Sequence, residues 1–208
     1  MTSETGTHTS TSTSTSTTTS VSPSVSTPEP ADLPLAPGRW ALDPYHSAVG
    51  FVIRHLGISK VRGHFARFDA ELTVGSTVDD CAVTATVAVD SIDTGNADRD
   101  AHVLAPDMLD VARRPTLAFR STRIRGEGAD WVLEGELTLG DVTRNVTFDV
   151  EFGGAEDSLA DGRRHAGFEA NGEIRRSDFG LDFAPGILGD VLKIQLDLQF
   201  VAPEPQDA

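Results

Sequence analysis

The sequence predicts an all-β fold: an eight-stranded antiparallel barrel with a short helical flap between the third and fourth strands. Three observations predict it. Apolar residues alternate with period two in eight segments, turn-forming residues separate several of these segments, and little helical periodicity is present to cover a parallel sheet. Eight antiparallel strands of this length close naturally into a barrel, because closure removes exposed edges. Such a barrel is just wide enough to be filled by side chains or to hold one slender ligand.

The predicted strands follow one another over residues 49–200. In each strand, apolar side chains recur at every second position, which is typical of a strand with one buried face. The second segment changes phase at Ala66–Arg67, which predicts a β-bulge. The eight segments are residues 49–53, 63–72, 83–89, 117–121, 133–139, 146–152, 168–174 and 194–200.

The flap is predicted in residues 91–116, a connection that is too long for a hairpin turn. Asn96 or Gly95 would cap a short helix over residues 97–103. Pro106 suits the first turn of a second helix. The inner side of that second helix would carry Met108, Leu109 and Val111. We expect this segment to lie over one barrel mouth or along the flank of the barrel.

The chain divides into a tail and a body. Residues 2–27 contain 20 Ser or Thr, too little apolar surface to offset the entropy of ordering them. We therefore predict a disordered Ser/Thr/Pro-rich tail over residues 1–37, a barrel domain over 38–202 and a short tail over 203–208. The first tail is either a modified stalk or a solvating segment with no specific partner.

Charge and composition limit the function classes. The formal net charge is −15, which argues against nucleic acid and against anionic membrane surfaces as partners. No run of 18 apolar residues is present, so no membrane span is expected. The single cysteine, Cys81, fits a reducing compartment, and the N-terminus does not look like a classical secretory signal. We expect a cytoplasmic protein, and export stays open.

The inward face of the predicted barrel is apolar and rich in phenylalanine. It forms either a close-packed core or the lining of a tunnel for an apolar ligand, and composition alone does not decide between them. Small inward residues would leave room in the bore: Gly63, Ala70, Ala85, Gly135, Ala170 and Gly172. The predicted tunnel lining is Phe51, Ile53, Phe65, Leu72, Phe119, Leu137, Phe148, Phe168, Leu196 and Phe200.

Polar residues near this lining are candidates for a mouth that holds a ligand's head group. We predict that His46, His102 and Arg176 gather there. Of the adjacent Arg175 and Arg176, one points inward, and an inward Arg176 needs an acceptor. That acceptor is either a polar head, such as a phosphate or a quinone carbonyl, or one of the carboxylates of Asp43, Asp100 and Asp178.

Motifs for catalysis or metal binding are weak. His46, His55 and His64 are nine residues apart, and the sequence has no HxH, HxxxH or CxxC spacing. No nucleophile elbow and no phosphate-binding GxxxxGK pattern occur. We therefore expect a binding protein with no metal or cofactor. The alternatives left open are an enzyme or metal protein that uses His46, His55 and His102, and a solid-core interaction protein.

Six motifs in order give the body a family resemblance. Together with the strands between and after them, they cover nearly all of residues 39–201, and the set is similar to the YceI-like family of lipocalin-like, polyisoprenoid-binding proteins. The motifs are WALDPYHSAVGFVIRHLG (40–57), VRGHFARF (61–68), SIDTGNADRDAHVLAPDMLD (91–110), PTLAFRST (115–122), GELTLGDVTRNVTF (135–148) and GFEANGEIRRSDFGL (167–181).

The resemblance implies an extended barrel whose tunnel holds one long isoprenoid lipid, for storage or transport. It also implies that a homodimer is possible, and the family is not a group of established enzymes, so the motif residues need not be catalytic. The chain departs from the family at Gly140-Asp141, where relatives usually have His-Gly. The family motif positions include Asp43, His46, Ser47, His55, Arg99, Asp100, His102, Arg176, Ser177 and Asp178.

Overall fold

The computed structural model describes residues 1–2 and 35–204; most of the predicted tail, and residues 205–208, lie outside them. In the described part, eleven strands and one α-helix follow the chain. The helix is α1 (Ala97–Val103). The strands are β1 (Gly38–Leu42), β2 (Ala48–His55), β3 (Ser59–Phe65), β4 (Phe68–Val74), β5 (Ala82–Ala88), β6 (Ile92–Asp93), β7 (Thr116–Glu127), β8 (Asp130–Leu139), β9 (Val142–Asp157), β10 (Arg164–Arg175) and β11 (Leu188–Val201).

The strands form a closed antiparallel barrel. Eight of them make a ring in the order β1-β4-β5-β7-β8-β9-β10-β11, and the ring closes where β11 pairs with β1. Strand β11 also pairs with β2, so β2, β3 and β6 continue the wall at one end. The prediction of an eight-stranded antiparallel barrel is confirmed. The predicted β-bulge at Ala66–Arg67 is wrong, because these residues separate β3 from β4, two strands that pair with different neighbours.

Strand β1, which the sequence analysis did not identify, is joined to β2 by a tight polar turn that we name the Asp43 clasp. Asp43 Oδ2 accepts hydrogen bonds from His46 Nδ1 (2.8 Å) and from Gln199 Nε2 (3.2 Å). Its Oδ1 accepts one from the Tyr45 backbone N–H (2.9 Å). Because Gln199 belongs to β11, the clasp fixes the point at which β11 changes its partner from β1 to β2.

The charge of Asp43 is stabilised in this turn. Burial alone would raise the pKa of its carboxyl, but the hydrogen bonds from His46 and Tyr45 and the nearby imidazoles of His46 and His165 outweigh burial and lower that pKa. The fold therefore favours the ionised form of Asp43 over its protonated form more strongly than water does. The part of the stability that depends on this charge is lost when Asp43 is protonated.

The predicted helix over residues 97–103 is confirmed as α1, and Asn96 caps it by accepting a hydrogen bond from the Arg99 backbone N–H. The predicted second helix at Pro106 is wrong, because residues 104–113 form successive turns. Leu109 N–H donates back to the Val103 carbonyl, and Asp110 adopts a φ of 47°, so no helical ladder continues. No helix of the described residues is long and apolar enough to cross a bilayer.

Three phenylalanine rings lie directly against glycines of neighbouring strands. A Cβ added at Gly63 would come within 2.4 Å of the Phe51 ring, and one at Gly135 within 2.4 Å of the Phe119 ring. A Cβ at Gly172 would come within 2.6 Å of the Phe148 ring. The sequence suggested that these glycines leave empty room in the bore, but the rings occupy that space. The missing Cβ lets each ring approach the backbone of the neighbouring strand closely.

Buried residues pack closely together at one end of the barrel. Trp40 is fully buried, and its indole N–H donates to the Ala36 carbonyl. Leu35 and Phe200 belong to the same buried cluster. Packed contacts therefore begin before β1, inside the segment that the sequence assigned to the tail.

The Phe–Gly contacts predict that one added methyl group lowers the free energy of unfolding markedly. Gly135→Ala would push against the Phe119 ring and the Arg120 carbonyl, and overpacking of this kind costs about 1–3 kcal/mol. Urea denaturation measures the free energy of unfolding. The matched control is Gly167→Ala, because a Cβ there meets nothing within 4 Å. If both variants unfold at the same urea concentration, the contact does not shape the wall.

The clasp predicts that the wild type and Asp43→Asn differ in free energy of unfolding, and that this difference depends on pH. The folded pKa of Asp43 lies below its unfolded value, so its contribution is present above about pH 4 and is lost as pH falls through the folded pKa. We expect Asp43→Asn to lower the free energy of unfolding by about 2 kcal/mol at pH 7. This gap between the wild type and the variant should narrow below pH 4.

Urea denaturation from pH 7 to pH 3 measures that gap. The control is Asp197→Asn on the exposed face of β11, which should change stability by less than about 0.5 kcal/mol. A gap that stays constant with pH would contradict a role for the Asp43 charge.

Candidate functional site

The bore of the barrel contains two cavities. The first, which we name the apolar cavity, has a volume of about 190 Å³ and extends to Leu35 and Trp131 near the packed end. The second, which we name the arginine cavity, has a volume of about 390 Å³ and extends to His55, Arg176 and Leu188 at the other end. The barrel is therefore hollow over much of its length.

The two cavities share part of their lining. Six residues line both of them, and we name this set the waist. Because the waist is built from rotatable apolar side chains, rotamer changes there would join the cavities into one passage. The waist residues are Phe51, Phe65, Leu117, Leu137, Ile174 and Ile194.

The aromatic side chains leave the axis open. All four ring pairs within the described residues join strands that are neighbours, or next neighbours, in the barrel wall. Phe119 and Phe148, for example, flank β8 with ring centroids 5.7 Å apart and nearly perpendicular planes. No pair bridges opposite walls in this part of the chain, so the rings line the bore instead of filling it.

All ten residues of the predicted tunnel lining contact a cavity. Nine of them line the apolar cavity, and Ile53 lines the arginine cavity. The wall of the apolar cavity is aliphatic and aromatic, and the exposed Asp69 is the one charged residue among those described that line it. Its chemistry therefore matches a hydrocarbon better than it matches water.

Arg176 lies in the wall of the arginine cavity and is 7% exposed. Its guanidinium donates to the backbone carbonyls of Gly189 (3.0 Å), Leu181 and Leu188 (3.5 Å). It also lies 4.9 Å from the centre of the Phe183 ring. The prediction that a carboxylate accepts from Arg176 is therefore wrong, because the acceptors of Arg176 are carbonyls. Asp100 instead accepts a hydrogen bond from the Thr94 hydroxyl (2.5 Å).

The arginine cavity has a basic polar lining. Arg99 reaches it from α1, and its guanidinium is held by the side chain and the carbonyl of Thr94, each at 2.7 Å. His55 lines the same cavity, and among the described lining residues there is no carboxylate. Arg99 and His55 were missing from the predicted mouth. The signal that could have found Arg99 is its position in the flap next to the cap of α1.

The three predicted mouth residues are not brought together. Arg176 lines the arginine cavity, whereas His46 belongs to the Asp43 clasp near the packed end, with its side chain 66% exposed. His102 is exposed on α1 and lines neither cavity. Within residues 35–204, no cluster of His, Cys, Asp or Glu side chains is arranged to hold a metal ion.

The departure at Gly140-Asp141 lies in the turn between β8 and β9. Gly140 has a φ of 59°, a left-handed conformation that favours glycine, and a Cβ there would meet the Arg114 side chain at 3.0 Å. Neither residue lines a cavity. In this chain the pair therefore shapes a turn.

Known proteins resemble this arrangement over most of its length. The UPF0312 protein of Enterobacter sp. strain 638 is 39% identical over 137 residues, which are 65% of this chain and 71% of that protein. Burkholderia cenocepacia BcnA superposes with a TM-score of 0.67 at 22% identity, covering 76% of this chain and 98% of that one.

A polyisoprenoid-binding domain from Saccharophagus degradans, implicated in plant cell wall breakdown, superposes with a TM-score of 0.57. Its sequence is 14% identical, and the match covers 79% of this chain and 98% of that domain. At this identity the likeness concerns the fold. The model of the YceI-like domain matches residues 40–200, and the chain belongs to the YceI-like family.

Proposed function

We propose that the protein binds one long isoprenoid lipid, with its apolar tail in the apolar cavity and its polar head in the arginine cavity, for storage or transport. The observation that carries this proposal is the hollow bore, with its apolar inner part and its basic outer part. The solved Saccharophagus domain, which is described as polyisoprenoid-binding, has the same fold and supports this choice of ligand.

The apolar cavity favours a hydrocarbon over solvent. Apolar cavities of about 150 Å³ stay dry and take up small apolar molecules, and this one is larger, at about 190 Å³. Each methylene group moved from water into such a space contributes about 0.8 kcal/mol. A chain of several isoprene units would therefore bind firmly without any charged contact in the tail region.

The arginine cavity favours a head group that carries acceptor oxygens. Arg99 and Arg176 line it, and no carboxylate of the described residues lines it with them. A largely buried guanidinium with only neutral acceptors has an uncompensated charge, which a phosphate would partly offset, whereas a quinone carbonyl would only add another neutral acceptor. This polarity orients the ligand with its tail toward the packed end.

The alternative functions receive less support. A catalytic or metal-binding role for His46, His55 and His102 would need them near one another, and only His55 lines a cavity. A solid core conflicts with the bore. We therefore propose a binding protein rather than an enzyme, while the cytoplasmic location and the homodimer stay predictions from the sequence.

Filling the bore should abolish ligand binding. Ala85 lines the apolar cavity, so Ala85→Phe would occupy the space of the tail. Native mass spectrometry of untagged protein should show a ligand mass for the wild type and none for this variant, with organic extraction to identify the lipid.

The matched control for this test is Thr86→Phe, the next residue of β5 and an exposed one. We expect it to keep the ligand mass. Ala85→Phe should also lose the stability that the ligand adds to the folded state. Equal ligand occupancy in the two variants would contradict binding inside the bore.

The basic cavity predicts a preference between head groups. Arg99→Gln should weaken binding of a long-chain isoprenyl phosphate roughly tenfold and leave binding of the corresponding alcohol unchanged, because only the phosphate carries charge. Competition binding measures both affinities. The control is Arg123→Gln, an exposed residue of β7 that lines neither cavity. A loss of equal size for both lipids would argue against a head-group role for Arg99.

A further inference from the structure

Two adjacent loops expose aliphatic side chains beside the arginine cavity. Leu56 and Ile58, at the tip of the β2–β3 hairpin, are 53% and 83% exposed, and Ile187, in the loop before β11, is 48% exposed. The loops touch, since the Leu56 backbone N–H donates to the Ile187 carbonyl at 2.7 Å. We name Leu56, Ile58 and Ile187 the apolar rim.

The hairpin that carries this rim is basic. Residues 54–62 include Arg54, Lys60 and Arg62 and no acidic residue. Arg54 and Lys60 lie directly opposite each other across the two strands. None of the three pairs with a carboxylate of residues 35–204, whose ion pairs all involve other basic side chains.

We propose that the apolar rim and these three basic residues form a docking surface for an anionic lipid bilayer. Exposed aliphatic side chains enter the interface between head groups and acyl chains, and neighbouring Lys and Arg side chains contact anionic head groups. Exposed, unpaired cations around an apolar tip match such a bilayer in both charge and polarity.

The net charge of −15 does not prevent this contact. At physiological ionic strength charges are screened beyond about 8 Å, so a bilayer responds to the local charge of the surface that approaches it. The nearby loop, residues 182–187, contributes one carboxylate, Asp182. The sequence-based argument against anionic membrane surfaces used the average charge and missed this local reversal of sign.

The position of the rim connects docking to the bore. His55 and Ser59, which flank the hairpin tip, and Leu188, which follows Ile187, all line the arginine cavity. A protein docked through the rim would therefore present this cavity to the bilayer. Transfer of a lipid through this mouth rests on the proposed function, whereas docking itself does not.

Co-sedimentation with vesicles tests the docking surface. We expect the wild type to bind vesicles of equal phosphatidylglycerol and phosphatidylcholine, to bind pure phosphatidylcholine much more weakly, and to be released by high salt. Arg54→Gln/Lys60→Gln/Arg62→Gln should weaken binding by roughly 100-fold, at about fivefold per charge. Leu56→Asn/Ile58→Ser should weaken binding at least about tenfold, and Asn suits the φ of 52° at position 56.

Matched controls separate local from general effects. Arg39→Gln/Arg123→Gln/Arg125→Gln removes the same charge near the packed end, and Leu159→Ser removes an aliphatic side chain that is 106% exposed in the β9–β10 turn. Both should bind like the wild type. Thermal unfolding of each variant should show that it is folded, since every substituted residue is exposed.

A site-specific label gives a second, independent measurement. In a Cys81→Ser background, an environment-sensitive fluorophore on Ile58→Cys should shift to the blue when anionic vesicles are added. The same fluorophore on Leu159→Cys should not shift. Because the label reports position directly, this result does not depend on how much the charge variants weaken binding.

Several outcomes would overturn the docking surface. These are equal loss of vesicle binding in the hairpin and control variants, a blue shift at position 159 or at neither position, or concentration-dependent dimerisation that the rim variants abolish without vesicle binding. The last outcome would assign the rim to a second copy of the chain. The native mass spectrum of the ligand remains a separate readout, so failure of docking and failure of lipid binding are distinguishable.

Discussion

The hollow bore depends on the contact between phenylalanine rings and facing glycines. An eight-stranded barrel lies at the boundary between a filled interior and one that holds a ligand, and inward phenylalanines would ordinarily fill it. At Gly63, Gly135 and Gly172 the missing Cβ lets a ring of an adjacent strand lie against the backbone. The rings thus cover inward-facing strand glycines and leave room along the axis.

The wall is longer than the eight-stranded ring because one strand serves two partners. Strand β11 pairs with β1 near Phe200 and with β2 from residue 188 to residue 197. The Asp43 clasp occupies the break between β1 and β2 and is tied to β11 through Gln199. The added strands β2 and β3 line part of the arginine cavity. The polar turn that starts β2 at one end of the barrel therefore allows the wall to continue around the bore at the other end.

Much of this was predictable, and the failures have specific causes. Period-two alternation placed the inward residues of the strands, and Asn96 marked the start of α1. Pro106 and the apolar residues after it suggested a second helix, but Leu109 and Val111 turn back toward α1 and pack against a buried cluster that includes Val89 and Leu139. Alternation predicts which face of a strand a residue lies on, but not which end of the barrel it lies at. The sequence therefore grouped His46 with Arg176, although the two lie at different ends of the barrel.

The molecule is polarised along its bore, and this polarity constrains how the proposed ligand would move. Trp40 and Leu35 pack one end, whereas the other end has the arginine cavity and the apolar rim. A lipid that enters through the second end must lead with its tail, since the inner cavity is apolar and the basic groups lie near the mouth. The head then stays where a bilayer would meet the protein, so uptake and release use the same opening, and the waist side chains are the barrier that the tail has to pass.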